Sequence, residues 1–167
     1  NIDGAGELIN NGILNISKNL NSNSKFTNNN IMTIGQSLTV NGSYGLNNCS
    51  ISINENLTLN SPLTNYGLMD VKNNLTINYG GITTLFNGAM ISAKNAVISR
   101  SITGSGSTSL VKISNNTTLN WGGSLNGNLE YCDANGIENS YGTVNAPAVF
   151  SCNVYIPSTS CNSIGNG

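Results

Sequence analysis

The chain has 167 residues, enough for one domain with a core of its own. Only 8% of residues are charged, the net charge is −1 and there is no histidine, while Asn makes up about a fifth of the chain. High net charge, a signal of disorder, is absent, and six basic residues scattered from Lys18 to Lys112 make no stripe for phosphates, which argues against nucleic acid as a partner.

In chain order, Glu7-Leu8-Ile9-Asn10-Asn11-Gly12 reads as the closing side of a coil whose start lies earlier. Leu14-Asn15-Ile16 then opens a series of apolar–polar–apolar triplets: Met32-Thr33-Ile34, Ile51-Ser52-Ile53, Met69-Asp70-Val71, the imperfect Met90-Ile91-Ser92, and Val111-Lys112-Ile113. Three polar residues follow each one, as in Asn54-Glu55-Asn56 and Lys72-Asn73-Asn74, a turn of constant length in which Asn bonds its own backbone. A second triplet comes next, flanked by small polar residues: Ser37-Leu38-Thr39-Val40-Asn41, Asn56-Leu57-Thr58-Leu59-Asn60, Asn74-Leu75-Thr76-Ile77-Asn78, Asn95-Ala96-Val97-Ile98-Ser99 and Asn116-Thr117-Thr118-Leu119-Asn120. Asn19-Leu20-Asn21-Ser22-Asn23 is a degraded first copy, and the spacing between copies is 18 to 21 residues. A looser third side, carrying Phe26, Leu46, Leu63, Ile82 with Leu85, Ile102 and Leu125, closes each coil; its varying length explains the drift of the period.

Alternation of period two puts the outer members of each triplet on one face and the middle member on the other. Repeated at a fixed coil length, this predicts an all-β, three-sided parallel β-solenoid of about six coils over residues 1–131, leaving in Leu129-Glu130-Tyr131 as the start of a seventh. An antiparallel sandwich also shows short alternating strands, but its connections need not recur at one length. Residues 132–167 are read as a Cys-containing cap or donor-strand tail, in which Phe150, Cys152, Val154 and Ile156 share one face of an amphipathic strand; laid along the rod it is a cap, donated to a neighbouring subunit it is an assembly strand.

Four cysteines, Cys49, Cys132, Cys152 and Cys161, include no C-x-x-C pair and have no histidine to complete a zinc set, so no metal is expected and disulfides in an oxidising compartment fit better. A Cys152–Cys161 bridge would close a short loop, although four cysteines allow three pairings. The apolar runs are too short to span a bilayer and no basic-plus-apolar leader stands at Asn1; the chain is expected to be soluble, with any export signal removed or outside it.

Catalysis finds no support. The acids are not paired by the repeat, the absence of histidine excludes a Ser-His-Asp triad, and no cofactor is implied. Asp133-Ala134-Asn135-Gly136 with Glu138 lacks the spacing of a full calcium loop. Arg100 reads as a solvated corner charge, with steadying an anionic substrate as the alternative. Asn-x-Ser/Thr sequons such as those at Asn56 and Asn74 arise as a by-product of turns that want Asn beside strands that want Thr. The candidate packing or binding face is the outward side of the second strand: Thr39, Thr58, Thr76 and Thr118 between the columns of Asn56 and Asn74 and of Asn60 and Asn78. Such a face suits ladder stacking, packing on another rod, a sugar polymer or ice, and Tyr79 and Trp121 lie beside it at one corner.

These repeats, Asn56-Leu57-Thr58-Leu59 and Asn74-Leu75-Thr76-Ile77 above all, resemble the β-solenoid shafts of secreted bacterial surface proteins, of the filamentous-haemagglutinin-like and autotransporter adhesin kinds, over residues 7–131. The segment Tyr131-Cys132-Asp133-Ala134-Asn135-Gly136-Ile137-Glu138 is similar to segments of exported Bacteroidetes proteins. The resemblance implies an extracellular, cell-surface location and a scaffold or adhesive role without catalysis. The expectation is therefore a non-catalytic structural rod that associates with itself end to end or by strand donation, with a carbohydrate- or ice-binding module as the alternative and a polysaccharide-cleaving enzyme further behind.

Overall fold

The computed structural model describes residues 1–4, 6–135, 137–145 and 147–150. Every described strand is β and every pairing is parallel, each strand lying in register on the strand one coil later. Coil one comprises β1 (Glu7–Asn10), β2 (Ile13–Ile16) and β3 (Leu20–Ser22); coil two β4 (Lys25–Asn28), β5 (Ile31–Ile34) and β6 (Leu38–Val40). Coil three comprises β7 (Gly45–Asn47), β8 (Ser50–Ile53) and β9 (Leu57–Leu59); coil four β10 (Leu63–Asn65), β11 (Leu68–Val71) and β12 (Asn74–Ile77). In coil five, β13 (Thr83–Phe86) leads into β14 (Met90–Ile98), which runs along two sides. Coil six is one continuous strand, β15 (Ser101–Leu119), wrapped around all three sides. Coil seven uses β16 (Ser124–Asp133) and β17 (Ile137–Ser140), and β18 (Thr143–Val144) with β19 (Val149–Phe150) continues the ladders beyond it.

The chain is a three-sided parallel β-solenoid of about seven turns, against about six expected: the seventh coil, whose start Leu129-Glu130-Tyr131 announces in the sequence, is carried on by β17. At about 4.8 Å per strand, seven coils make a rod about 34 Å long.

The first and second sides follow the alternation. Met32, Ile34, Ile51, Ile53, Met69 and Ile91 are fully buried from the first side, and Leu38, Val40, Leu57, Leu59, Leu75 and Ile77 from the second. Parallel register stacks each of these on its equivalent in the next coil, for example Leu38 on Leu57 and Leu57 on Leu75. Each burial contributes about 1.5–3 kcal/mol, the main return on ordering so short a coil.

Two assignments shift. In coil five the inward pair is Ile91 and Ala93 rather than Met90 and Ser92: Met90 sits against Leu68 at a half-buried outer position, and the ladder bulges between Ala93 and Asn95. On the third side, Leu46 faces outward and Gly45 takes the inward place, because the Phe26 ring fills the space below it. A Cβ on Gly45 would lie 2.6 Å from Phe26 Cε1 and 2.9 Å from Leu63 Cδ1. Ile82 is exposed, whereas Thr83, bonding through its hydroxyl to Gly81 O at 3.1 Å, is buried along with the expected Leu85.

Near the end of the rod the core changes size. Where coils two to four place leucine on the second side, coils five and six place Ala96 and Thr117, and Tyr131 from the first side of coil seven fills the freed volume. Its hydroxyl and the Thr117 hydroxyl are 2.7 Å apart. Burial pushes the phenol far above its ordinary value, the Thr117 bond pulls it down and the Asp133 charge adds to the rise. A folded-state pKa above the unfolded one leaves stability untouched below about pH 10 and lowers it as pH rises beyond that. Denaturant melts at increasing alkalinity should therefore show wild-type stability falling more steeply than that of Tyr131→Phe, by up to about 1.4 kcal/mol per pH unit.

Candidate binding face and corner

The second side brings the expected face together. Thr39, Thr58, Thr76, Val97 and Thr118 are successive register partners, with their side chains half-exposed or, at Val97, exposed. On one flank Asn74 Nδ2 donates to Asn56 Oδ1 at 2.8 Å, Asn95 Nδ2 to Asn74 Oδ1 at 2.9 Å and Asn115 Nδ2 to Asn95 Oδ1 at 2.7 Å. On the other, Asn41 donates to Asn23, Asn60 to Asn41 and Asn78 to Asn60, at 3.0, 2.6 and 2.6 Å. The amide donors of this face are thus engaged in tying coil to coil. Their arrangement is that of a rigid wall, and it leaves the threonine hydroxyls as the groups most available to a ligand.

A second amide ladder runs inside the rod at the corner from the third side to the first. Asn10 Nδ2 donates to Asn28 Oδ1 at 2.7 Å, Asn28 to Asn47 at 2.8 Å and Asn47 to Asn65 at 2.7 Å, all four side chains being buried. Each amide also donates to backbone carbonyls: Asn28 to Asn30 and Ser50, Asn47 to Cys49 and Leu68, Asn65 to Gly67 and Met90. The chain must turn here, and turning exposes carbonyls that no neighbouring strand can reach; a carboxamide of fixed length reaches them. The ladder ends where Leu85 replaces asparagine in coil five. Sequence reading missed it because asparagine also fills the outer turns, yet the spacings of 18, 19 and 18 residues carry the signal.

The acids are dispersed. Glu7 is paired with Lys25 at 2.9 Å, and the hydrogen bond from that lysine holds its carboxyl below the usual range. Asp70 is opposed by partial burial, but bonds from Lys72 and Ser92 outweigh it and lower its pKa. Asp133 accepts the Asn135 N–H at 3.0 Å, as in an Asx turn, and among the described residues no three of His, Cys, Asp and Glu gather as a metal-holding group. Comparison with family models, curated proteins and solved structures returns no match. Beyond the fold, the reading of this protein therefore rests on its own surface. Among the described residues no helix is long and apolar enough to cross a membrane.

Of the expected assembly strand, Phe150 is the last described residue, its backbone in register with Tyr131; Cys152, Val154 and Ile156 lie outside the described residues, as does the Cys152–Cys161 pair. Cys49 is buried at the corner beside the inner amide ladder, Cys132 is half-buried on the outer side of β16, and neither is a free thiol.

The corner from the second side to the third is lined differently. Tyr79, Trp121 and Tyr141 are exposed there, and the Trp121 and Tyr141 rings stack with centroids 6.0 Å apart and planes 13° from parallel. Sequence reading paired Tyr79 with Trp121 but passed over Tyr141, which follows β17 as Asn120 follows β15.

Proposed function

We propose that this protein is a non-catalytic extracellular structural rod that associates with copies of itself at the cell surface, in an adhesive or scaffolding role. The observation that carries this reading is an apolar patch on the outer side of the rod. Ile13 and Ile31, adjacent in register on the outer side of coils one and two, and Ile9 just across the corner are exposed by 72%, 41% and 54%. Clustered isoleucines exposed on the outer side of a rod mark a surface for association. The absence of free thiols among the described cysteines supports an oxidising, exported setting.

Sedimentation and electron microscopy across a concentration series test this reading. Wild-type protein should form end-to-end dimers or filaments, and Ile13→Lys with Ile31→Lys should weaken association at least tenfold without lowering the melting temperature. Wild-type particles that stay monomeric at every concentration would sink the proposal.

A further inference from the structure

The aromatic corner has a geometry of its own. Coils four and six cross it with the same Asn-aromatic-Gly-Gly pattern, Asn78-Tyr79-Gly80-Gly81 and Asn120-Trp121-Gly122-Gly123, closed by equivalent hydrogen bonds: Gly81 N–H to Asn78 O at 2.8 Å and Gly123 N–H to Asn120 O at 2.9 Å. Coil five crosses between them with only Ser99 and Arg100 before β15 begins at Ser101. Two bulged corners therefore flank a short one. Tyr79 spans the gap, since its Cε1 would be 3.9 Å from a Cβ built on Gly122, two coils away. With Trp121 stacked on Tyr141, rings from coils four, six and seven line one strip along the rod.

Arg100 emerges from the short corner inside this strip. It is exposed, and neither ion pair among the described residues involves it. At the edge of the same gap the outer amide ladder breaks: Asn78 donates to Asn60, but Asn120 donates to the Ser99 hydroxyl at 3.0 Å, and no described residue donates to Asn78 Oδ1. The corner thus combines exposed ring faces, an uncompensated guanidinium and a free amide oxygen, whereas the flat face beside it has its amides engaged.

Ring faces of this kind take up the C–H face of a pyranose, and a guanidinium grips a carboxylate with two parallel hydrogen bonds. A protein partner fits poorly, because a strip one side chain wide offers far less than the ~800 Å² per partner of an ordinary interface. We infer that this corner binds an acidic polysaccharide, its sugar rings lying on Tyr79 and on the Trp121–Tyr141 pair and a sugar carboxylate meeting Arg100. This goes beyond self-association and uses residues on a different corner, so the two proposals fail independently.

The test is binding of the intact protein to oligogalacturonate, with a neutral β-glucan as control, by calorimetry and affinity electrophoresis. Wild-type protein should prefer the uronate oligomer. Trp121→Ala should weaken binding at least tenfold, Trp121→Phe should keep most of it, and Arg100→Gln should erase the preference over the neutral glucan. Thr58→Tyr, on the flat face, should change nothing. Circular dichroism melts confirm that each variant folds. No binding to the uronate oligomer, or a selectivity indifferent to Arg100→Gln, overturns the inference. Loss on Thr58→Tyr with Trp121→Ala harmless also overturns it, by moving the site to the flat face.

Discussion

Replacing Asn47 by alanine should destabilise the protein by about 3–5 kcal/mol, whereas the same change at Asn60 should cost no more than about 0.5 kcal/mol. Both residues are rungs of amide ladders with bonds of similar length, 2.7–2.8 Å at Asn47 and 2.6 Å at Asn60. They differ in surroundings. Asn47 has no exposure, and alanine there removes the bonds with Asn28 and Asn65, those to the Cys49 and Leu68 carbonyls, and the acceptor of the Cys49 N–H. Water cannot replace them, and a net value near 1 kcal/mol per bond plus an orphaned donor gives the stated loss. At Asn60 water takes over both partners. Asn47→Asp sharpens the test: it keeps the acceptor for Asn28 but sets an oxygen against Asn65 Oδ1 and the Leu68 carbonyl. Its deficit should shrink as pH falls and the carboxyl regains a proton to donate. Urea melts of the variants measure all this, and equal losses at Asn47 and Asn60 would refute a structural role for the inner ladder.

Gly67→Ala should be the most damaging small substitution, at or above the ~3 kcal/mol end of ordinary overpacking costs. A Cβ at this position would stand 1.8 Å from the Cys49 carbonyl oxygen and 2.6 Å from its carbon. Coil four crosses directly over coil three there, with Leu68 N–H bonded to the same oxygen at 2.8 Å. Backbone lies on both sides of the clash, so relief requires lifting one coil from the other, which also stretches the Asn65 Nδ2 bond to Gly67 O. Gly12 provides the contrast: nothing lies within 4 Å of its added Cβ and its backbone is not left-handed, so Gly12→Ala should be neutral or stabilise by about 0.4–1 kcal/mol. Soluble expression and melting temperature separate the two variants. A Gly67→Ala protein melting with the wild type would show that the coils are not packed backbone to backbone at this corner.

The core of the first two sides was legible in the chain, as Leu57, Leu59, Leu75 and Ile77 illustrate. Each sits in a strand of strict alternation, and each stacks on its own equivalent about one coil away. Coil five shows where this reading fails: Met90-Ile91-Ser92 looks like an apolar triplet, but pairing with Met69 selects Ile91 and Ala93. The third side was harder. Gly45 and Thr83 hold inward places that composition assigns to Leu46 and Ile82, because a large neighbour, Phe26, already fills the axis at one and a tight corner sets the register at the other. The candidate face was legible as columns of Asn and Thr, and so was the bonding of its amides up the ladder, since identical residues stack at one coil's spacing.

The sequence by itself determined the solenoid, its coil length and the inward residues of two sides, because parallel in-register stacking turns a one-dimensional repeat directly into a three-dimensional one. Only the tertiary structure decided what the corners do. At a corner the alternation breaks, so an asparagine looks the same whether it bonds within the rod, as Asn47 does, or in water, as Asn60 does. The aromatic strip was hidden for a related reason: Tyr79, Trp121 and Tyr141 belong to different coils, and what brings them together is how far each coil bulges around its neighbour.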